Sequence, residues 1–83
     1  MTPAHPARFA QQVAAAIRLL PESARKELRT ALEQAQDDPL SWPQADRYDL
    51  DDTVRVVTTG SAIVHYAILP EPRHLWVFAA TVL

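Results

Sequence analysis

Three histidines, His5, His65 and His74, are the side chains of this sequence that titrate near neutrality. Only His65 sits in a patterned stretch, the apolar run Ala62-Ile63-Val64-His65-Tyr66-Ala67. An imidazole there serves as a proton carrier or, more commonly, as a hydrogen-bonded structural group. His5 and His74 fall in proline-rich surroundings that read as a lead and a turn, where plain solvent exposure accounts for them. No histidine pair has the spacing that places two ligands on one helix face, and there is no cysteine, so no metal centre, thiolate nucleophile or disulfide is expected. Ser23, Ser41 and Ser61 have no histidine nearby in sequence, so no nucleophile elbow or triad is supported. Gly60 is the single glycine, which excludes a glycine-rich phosphate loop. No cofactor is implied.

Charge narrows the field further. With 8 basic and 10 acidic residues the formal net charge is −2. Proteins that grip nucleic acid through their overall field are usually strongly basic, so such a contact would need a local patch. Arg18, Arg25, Lys26 and Arg29 form one. It reads as a solvated helix face, or as a docking surface for nucleic acid or an acidic protein segment. Asp37, Asp38, Asp46, Asp49, Asp51 and Asp52 are concentrated in one stretch that lacks the glycine and terminal glutamate of a calcium loop. Helix-end and turn chemistry, in which aspartate is favoured, accounts for them.

The elements that must position these groups follow from periodicity. Eighty-three residues allow one domain. A chain this short buries only about 60% of its unfolded surface, so packing, with or without a partner, has to supply stability. Residues 1–7 form an irregular lead with two prolines. Residues 8–38 form an antiparallel helix hairpin, with Phe9, Val13, Ile17 and Leu20 on the first stripe and Ala24, Leu28, Ala31, Leu32 and Ala35 on the second. Pro21 suits the start of the second helix, and Asp38-Pro39 ends it. Residues 39–46 are a linker, and residues 47–83 an antiparallel meander. In it a short strand around 47–50 is followed by runs at 53–59, 62–69 and 74–83, with turns at Gly60-Ser61 and at residues 70–73. The opening residues lack a basic stretch followed by an apolar one, and no run reaches the ~18 apolar residues of a membrane span, so a cytoplasmic location away from membranes is expected.

The turns fix the register. Val57 should oppose Val64, Val56 should oppose His65, Tyr66 should oppose Val77, and His65 should oppose Phe78. One sheet face then carries Val57, Val64, Tyr66, Ile68, Leu75, Val77 and Ala79 and packs on the helices. The other carries Val54, Val56, Ile63, His65, Trp76 and Phe78. An antiparallel sheet covered on one side should be polar on the other, and this one is not. Val56, Ile63, Trp76 and Phe78 are therefore expected to bind a partner, a second copy in a homodimer, or the linker with Trp42 folded over them. The last run carries no charge, and at a sheet edge it would invite strand addition.

The hairpin RLLPESARKELRTALEQ, then DRYDLDDTVRVVTTGSAIVHYAI, then LWVFAATVL resembles the RelE/ParE superfamily of toxins over residues 8–83. The resemblance implies an α+β fold with the helix hairpin packed on one face of a three- to four-stranded antiparallel sheet. It also implies a toxin held by an antitoxin protein, acting on messenger RNA in the ribosome or on DNA gyrase. Three departures stand out: the family's opening strand has no counterpart in residues 1–8, Ile63 occupies a position that ribonuclease members make basic, and their basic, His/Tyr-bearing tail has no counterpart after Leu83. RNA cleavage needs cations to stabilise the charged transition state and an acid–base group to move protons. On the resemblance, Arg47, Arg55 and His65 are the catalytic candidates. The alternative is a catalytically empty interaction module on the same scaffold.

Overall fold

The computed structural model describes residues 5–45 and 52–83. Its elements are β1 (Ala7–Phe9), α1 (Gln11–Arg18), α2 (Glu22–Asp37), a 3-10 turn (Pro39–Ser41), β2 (Val54–Thr58), β3 (Ala62–Pro70) and β4 (Arg73–Val82). Arg47 and the short strand expected around it lie outside the described residues.

The sheet has the order β1-β4-β3-β2 and is mixed rather than wholly antiparallel, because β1 runs parallel to β4. Ala7 pairs with Leu75, Arg8 with Trp76 and Phe9 with Val77. This corrects the reading of residues 1–8 as strandless and of Arg8 and Phe9 as helical. The Phe9, Val13, Ile17 spacing fits a helix, yet a three-residue strand is too short for its own period to compete. Tertiary hydrogen bonds decide the matter. The Leu75 N–H donates to the Pro6 carbonyl (3.0 Å) and the Ala10 N–H to the Val77 carbonyl (2.9 Å). Gln36 ties the strand to the end of α2, its Oε1 accepting from the Ala7 N–H at 3.0 Å.

Both helices lie on one face of the sheet: of the first stripe Val13 and, just past α1, Leu20 are buried and Ile17 is half-buried, and of the second Ala24, Leu28, Ala31, Leu32 and Ala35 are buried. These meet Val57, Val64, Tyr66, Leu75 and Val77, each 0% exposed. Pro21 stands just before α2, and Glu22 in its first turn complements the helix dipole. Among the described residues, no helix is long and apolar enough to cross a membrane.

Gly60-Ser61 closes the β2–β3 hairpin as the sequence suggests, with Val57 opposite Val64 and Val56 opposite His65. The Thr59 N–H donates to the Ala62 carbonyl at 2.9 Å. Glu27 of α2 reaches the turn from below, its Oε1 accepting from the Gly60 N–H at 2.7 Å. Glu27→Ala should therefore lower stability by about 0.5–1.5 kcal/mol, seen as a lower Tm; an unchanged Tm would mean this contact contributes nothing.

Between β3 and β4 the register holds from Pro70–Arg73 to Tyr66–Val77 and then shifts. His65 pairs with Ala79, not Phe78, because a bulge leaves Phe78 as the extra residue on β4. The shift brings Ala80, not Ala79, opposite Val64 and against the core. β4 is covered by β1 only from Leu75 to Val77, so it is an edge strand only over its second half. Trp42 packs against the helix side, its Nε1–H donating to the Ala31 carbonyl at 3.2 Å, and does not fold over the outer face. The linker instead follows the far edge of β2, with Gln44 bridged to Arg55 and the Ala45 N–H donating to the Val54 carbonyl at 3.1 Å. Val54, expected on the open face, is buried where the linker returns.

Candidate functional site

Strand alternation assigns each candidate to a face. Val56 and His65 are partners and share the outer face; Arg55 and Tyr66 are partners and share the core face. The sheet thus separates Arg55 from His65. Arg55 is half-buried at the sheet's rim, and its guanidinium fastens the linker: Nε donates to the Asp52 carbonyl (2.9 Å) and Nη1 to the Trp42 carbonyl (3.1 Å). Beside it the Tyr66 hydroxyl donates to the Pro39 carbonyl. Burial pushes the Tyr66 hydroxyl up to about 12, with the positive charge of Arg55 pulling the other way.

The outer face holds His65, Val56 and Ile63, all half-buried, with Trp76 at 37% exposed. The rings of His65 and Phe78 are tilted against each other with centroids 6.2 Å apart. β1 adds Arg8, the register partner of Trp76. The sequence reading missed Arg8 on this face; alternation over Ala7-Arg8-Phe9 was the available signal. The face therefore combines aromatic and aliphatic area with the Arg8 guanidinium and two imidazoles, His65 and, by alternation along β4, the buried His74, whose Nδ1 meets the Pro72 carbonyl. Such an arrangement could seat an apolar partner and offers groups able to carry a proton. Among the described residues, no group of histidine, aspartate and glutamate could hold a metal ion.

On the opposite side, a groove of about 440 Å³ opens between the two helices and β1. Arg18, Arg25 and Arg29 line it, whereas Lys26 does not. Arg25 and Arg29 stand one turn apart on one side of α2, and Lys26 is rotated about 100° from Arg25.

No family model matches the sequence, and no curated protein matches it significantly. Two solved structures resemble the fold. One is the E. coli toxin RelE, a mutant in complex with an antitoxin RelBc peptide, with a TM-score of 0.76 and 13% identity over 93% of this chain and 81% of that one. The other is the archaeal RelE–RelB complex from Pyrococcus horikoshii OT3, with a TM-score of 0.65 and 13% identity over 95% of this chain and 94% of that one. Two helices on one face of a four-stranded mixed sheet, with the strand order found here, make this the fold of the RelE toxins.

Proposed function

We propose that the chain is the toxin component of a toxin–antitoxin pair, working in the cytoplasm, held by an antitoxin protein and engaging its target through the outer sheet face. The observation that carries the reading is the RelE fold, met in an E. coli toxin bound to an antitoxin peptide and in an archaeal RelE–RelB complex. The apolar outer face with Trp76 and Phe78 supports it, since apolar patches of that kind tend to mark interaction surfaces.

Within that reading the geometry favours binding the target over cutting RNA. Cleavage needs cations and an acid–base group on one surface. Arg55 is spent on two linker carbonyls and faces away from His65. A target such as DNA gyrase, inhibited by occupation, asks only for the exposed aromatic surface. The second reading is cleavage of messenger RNA at the ribosome, with His65 moving the proton and Arg8, two strands away on the same face, as the cation. Its supporting observation is that His65 does lie on the open face.

The test is inducible expression of the chain alone in bacteria, with RNA integrity followed over the same period. Growth arrest with intact messages is the expected result, relieved by co-expressing a small protein from the neighbouring reading frame. Arrest with cleaved messages would replace the binding mode by the ribonuclease reading. Normal growth despite abundant folded protein would discard toxicity and leave an interaction module.

A further inference from the structure

We infer that the free edge of β4 pairs with the same edge of a second copy of this chain, forming a two-fold dimer whose β4 strands run antiparallel about Thr81. The inference stands apart from the toxin reading, because it concerns only how the chain associates with itself.

The topology leaves this edge open. β1 covers β4 only from Leu75 to Val77, and the chain then leaves the sheet at Ala10 to enter α1. Past Val77, among the described residues, β4 has β3 on one side and no strand on the other. The bulge at Phe78 decides which main-chain groups are left over. Before it, the Leu75 N–H points to β1, where it meets the Pro6 carbonyl; after it, the Leu83 N–H points to β3 and meets the Ser61 carbonyl at 3.0 Å. Alternating back from Leu83, the N–H and C=O of Thr81 also face β3, whereas those of Ala80 and Val82 face outwards.

A second copy matches that edge in spacing, charge and shape. With Thr81 opposite Thr81, Ala80 lies opposite Val82 and Val82 opposite Ala80, so each pair exchanges two hydrogen bonds and every outward group is used. No side chain from Leu75 to Leu83 is charged, so self-pairing sets no like charges against each other. Of the large apolar side chains left exposed among the described residues, Phe9, Val82 and Leu83 lie at this edge, at 38%, 55% and 67%. Val82 is on the core side as the partner of buried Ala62, and Phe9 is on the same side as the partner of Val77. Opposite Ala80, the copy's Val82 falls next in line after Phe9 and covers it, and the two-fold repeats the contact. A foreign strand could use the hydrogen bonds; the copy also brings Val82 to Phe9 in both halves.

Four main-chain bonds and two such contacts make an interface below the ~1,200 Å² of stable complexes, so the association is reversible and concentration-dependent. The two-fold axis stands perpendicular to the sheet. Six strands become continuous, and both outer faces, each with its Trp76, point the same way.

The test is sedimentation equilibrium of the full chain at rising concentration, beside disulfide formation by Thr81→Cys. The chain has no cysteine of its own, and a non-hydrogen-bonded antiparallel pair holds its Cα atoms about 4.5 Å apart, within disulfide reach. The expected result is a monomer–dimer equilibrium. Covalent dimer should form at least about tenfold faster from Thr81→Cys than from Asp37→Cys, an exposed position at the end of α2. Val82→Pro removes one outward N–H per copy and leaves the β3 ladder intact, while Thr81→Lys sets like charges on the axis. Each should weaken the dimer about tenfold. Both positions are exposed, and far-ultraviolet circular dichroism checks that each variant is folded. A chain that stays monomeric throughout, with no faster cross-linking at Thr81, overturns the proposal. So does a dimer that ignores Val82→Pro and Thr81→Lys but is lost on Trp76→Glu, since that contact would lie on the outer face.

Discussion

Replacing Tyr66 with alanine should bring the chain close to unfolding. Tyr66 is 0% exposed at the centre of the sheet, with Arg55 opposite on β2 and Val77 opposite on β4. Truncating a buried aromatic costs about 3–5 kcal/mol. The whole chain is expected to have only ~4–12 kcal/mol of stability at ~0.05–0.15 kcal/mol per residue. The phenylalanine variant separates packing from the hydroxyl. It keeps the ring and leaves the buried Pro39 carbonyl without its donor, which costs about 1–3 kcal/mol. Chemical denaturation of both variants is the measurement. A Tyr66→Phe variant as stable as the parent would mean that this hydrogen bond does not hold the 3-10 turn to the sheet.

The same hydroxyl gives the chain an alkaline limit. In the unfolded chain it releases its proton near pH 10, whereas burial holds that proton to about 12 in the fold. Between those values the folded state binds more protons than the unfolded one, so stability falls as pH rises. The contribution is fully present below pH 10 and lost above about 12, at a cost of about 2–3 kcal/mol. Tyr66→Phe should lack this slope; parallel curves for the two proteins would place the alkaline loss elsewhere.

How much of this was legible in the sequence varies by element, for physical reasons. The β2–β3 hairpin was readable because a two-residue turn at Gly60-Ser61 leaves one register, and the core partners Val57 and Val64 follow from it. The helix stripes were readable because an eight- and a sixteen-residue helix each repeat their period. β1 was hidden because its three residues are selected by β4 and Gln36, both distant in sequence. The bulge at Phe78 was hidden as well: the uncharged run of β4 offers no glycine or proline to mark it. At the candidate sites, the basic cluster was visible as four residues, but helix rotation and Phe9 from β1 were needed to show that Arg18, Arg25 and Arg29 belong to one groove and Lys26 does not. Arg55 and His65 were grouped by the resemblance, and strand alternation separates them. Counting the parity of the paired positions in the β2–β3 register would have shown this from sequence.

That separation yields the second large effect, a contrast between the two faces. On the proposed reading, Trp76→Glu should relieve growth inhibition by more than its loss of folded protein accounts for. Trp76 is 37% exposed on the outer face, and a tryptophan at the centre of a binding surface is commonly worth about 2 kcal/mol or more, roughly 30-fold in Kd. With roughly two thirds of its surface covered on an interior strand, Trp76 also packs on its neighbours, so the substitution should cost about 1–3 kcal/mol of stability as well. Arg55→Ala should behave in the opposite way. It removes the donors to the Asp52 and Trp42 carbonyls, and should cost about 1–3 kcal/mol, with each kcal/mol moving Tm by about 4–8 °C in a domain of this size. Any relief of growth inhibition by Arg55→Ala should then track the lost folded protein. The measurement is a titration of inducer against growth for both variants, beside their Tm values. Full relief by Arg55→Ala at an unchanged Tm would move the working surface to the rim around Arg55, because a guanidinium whose only task is to fasten the linker cannot be lost without lowering Tm.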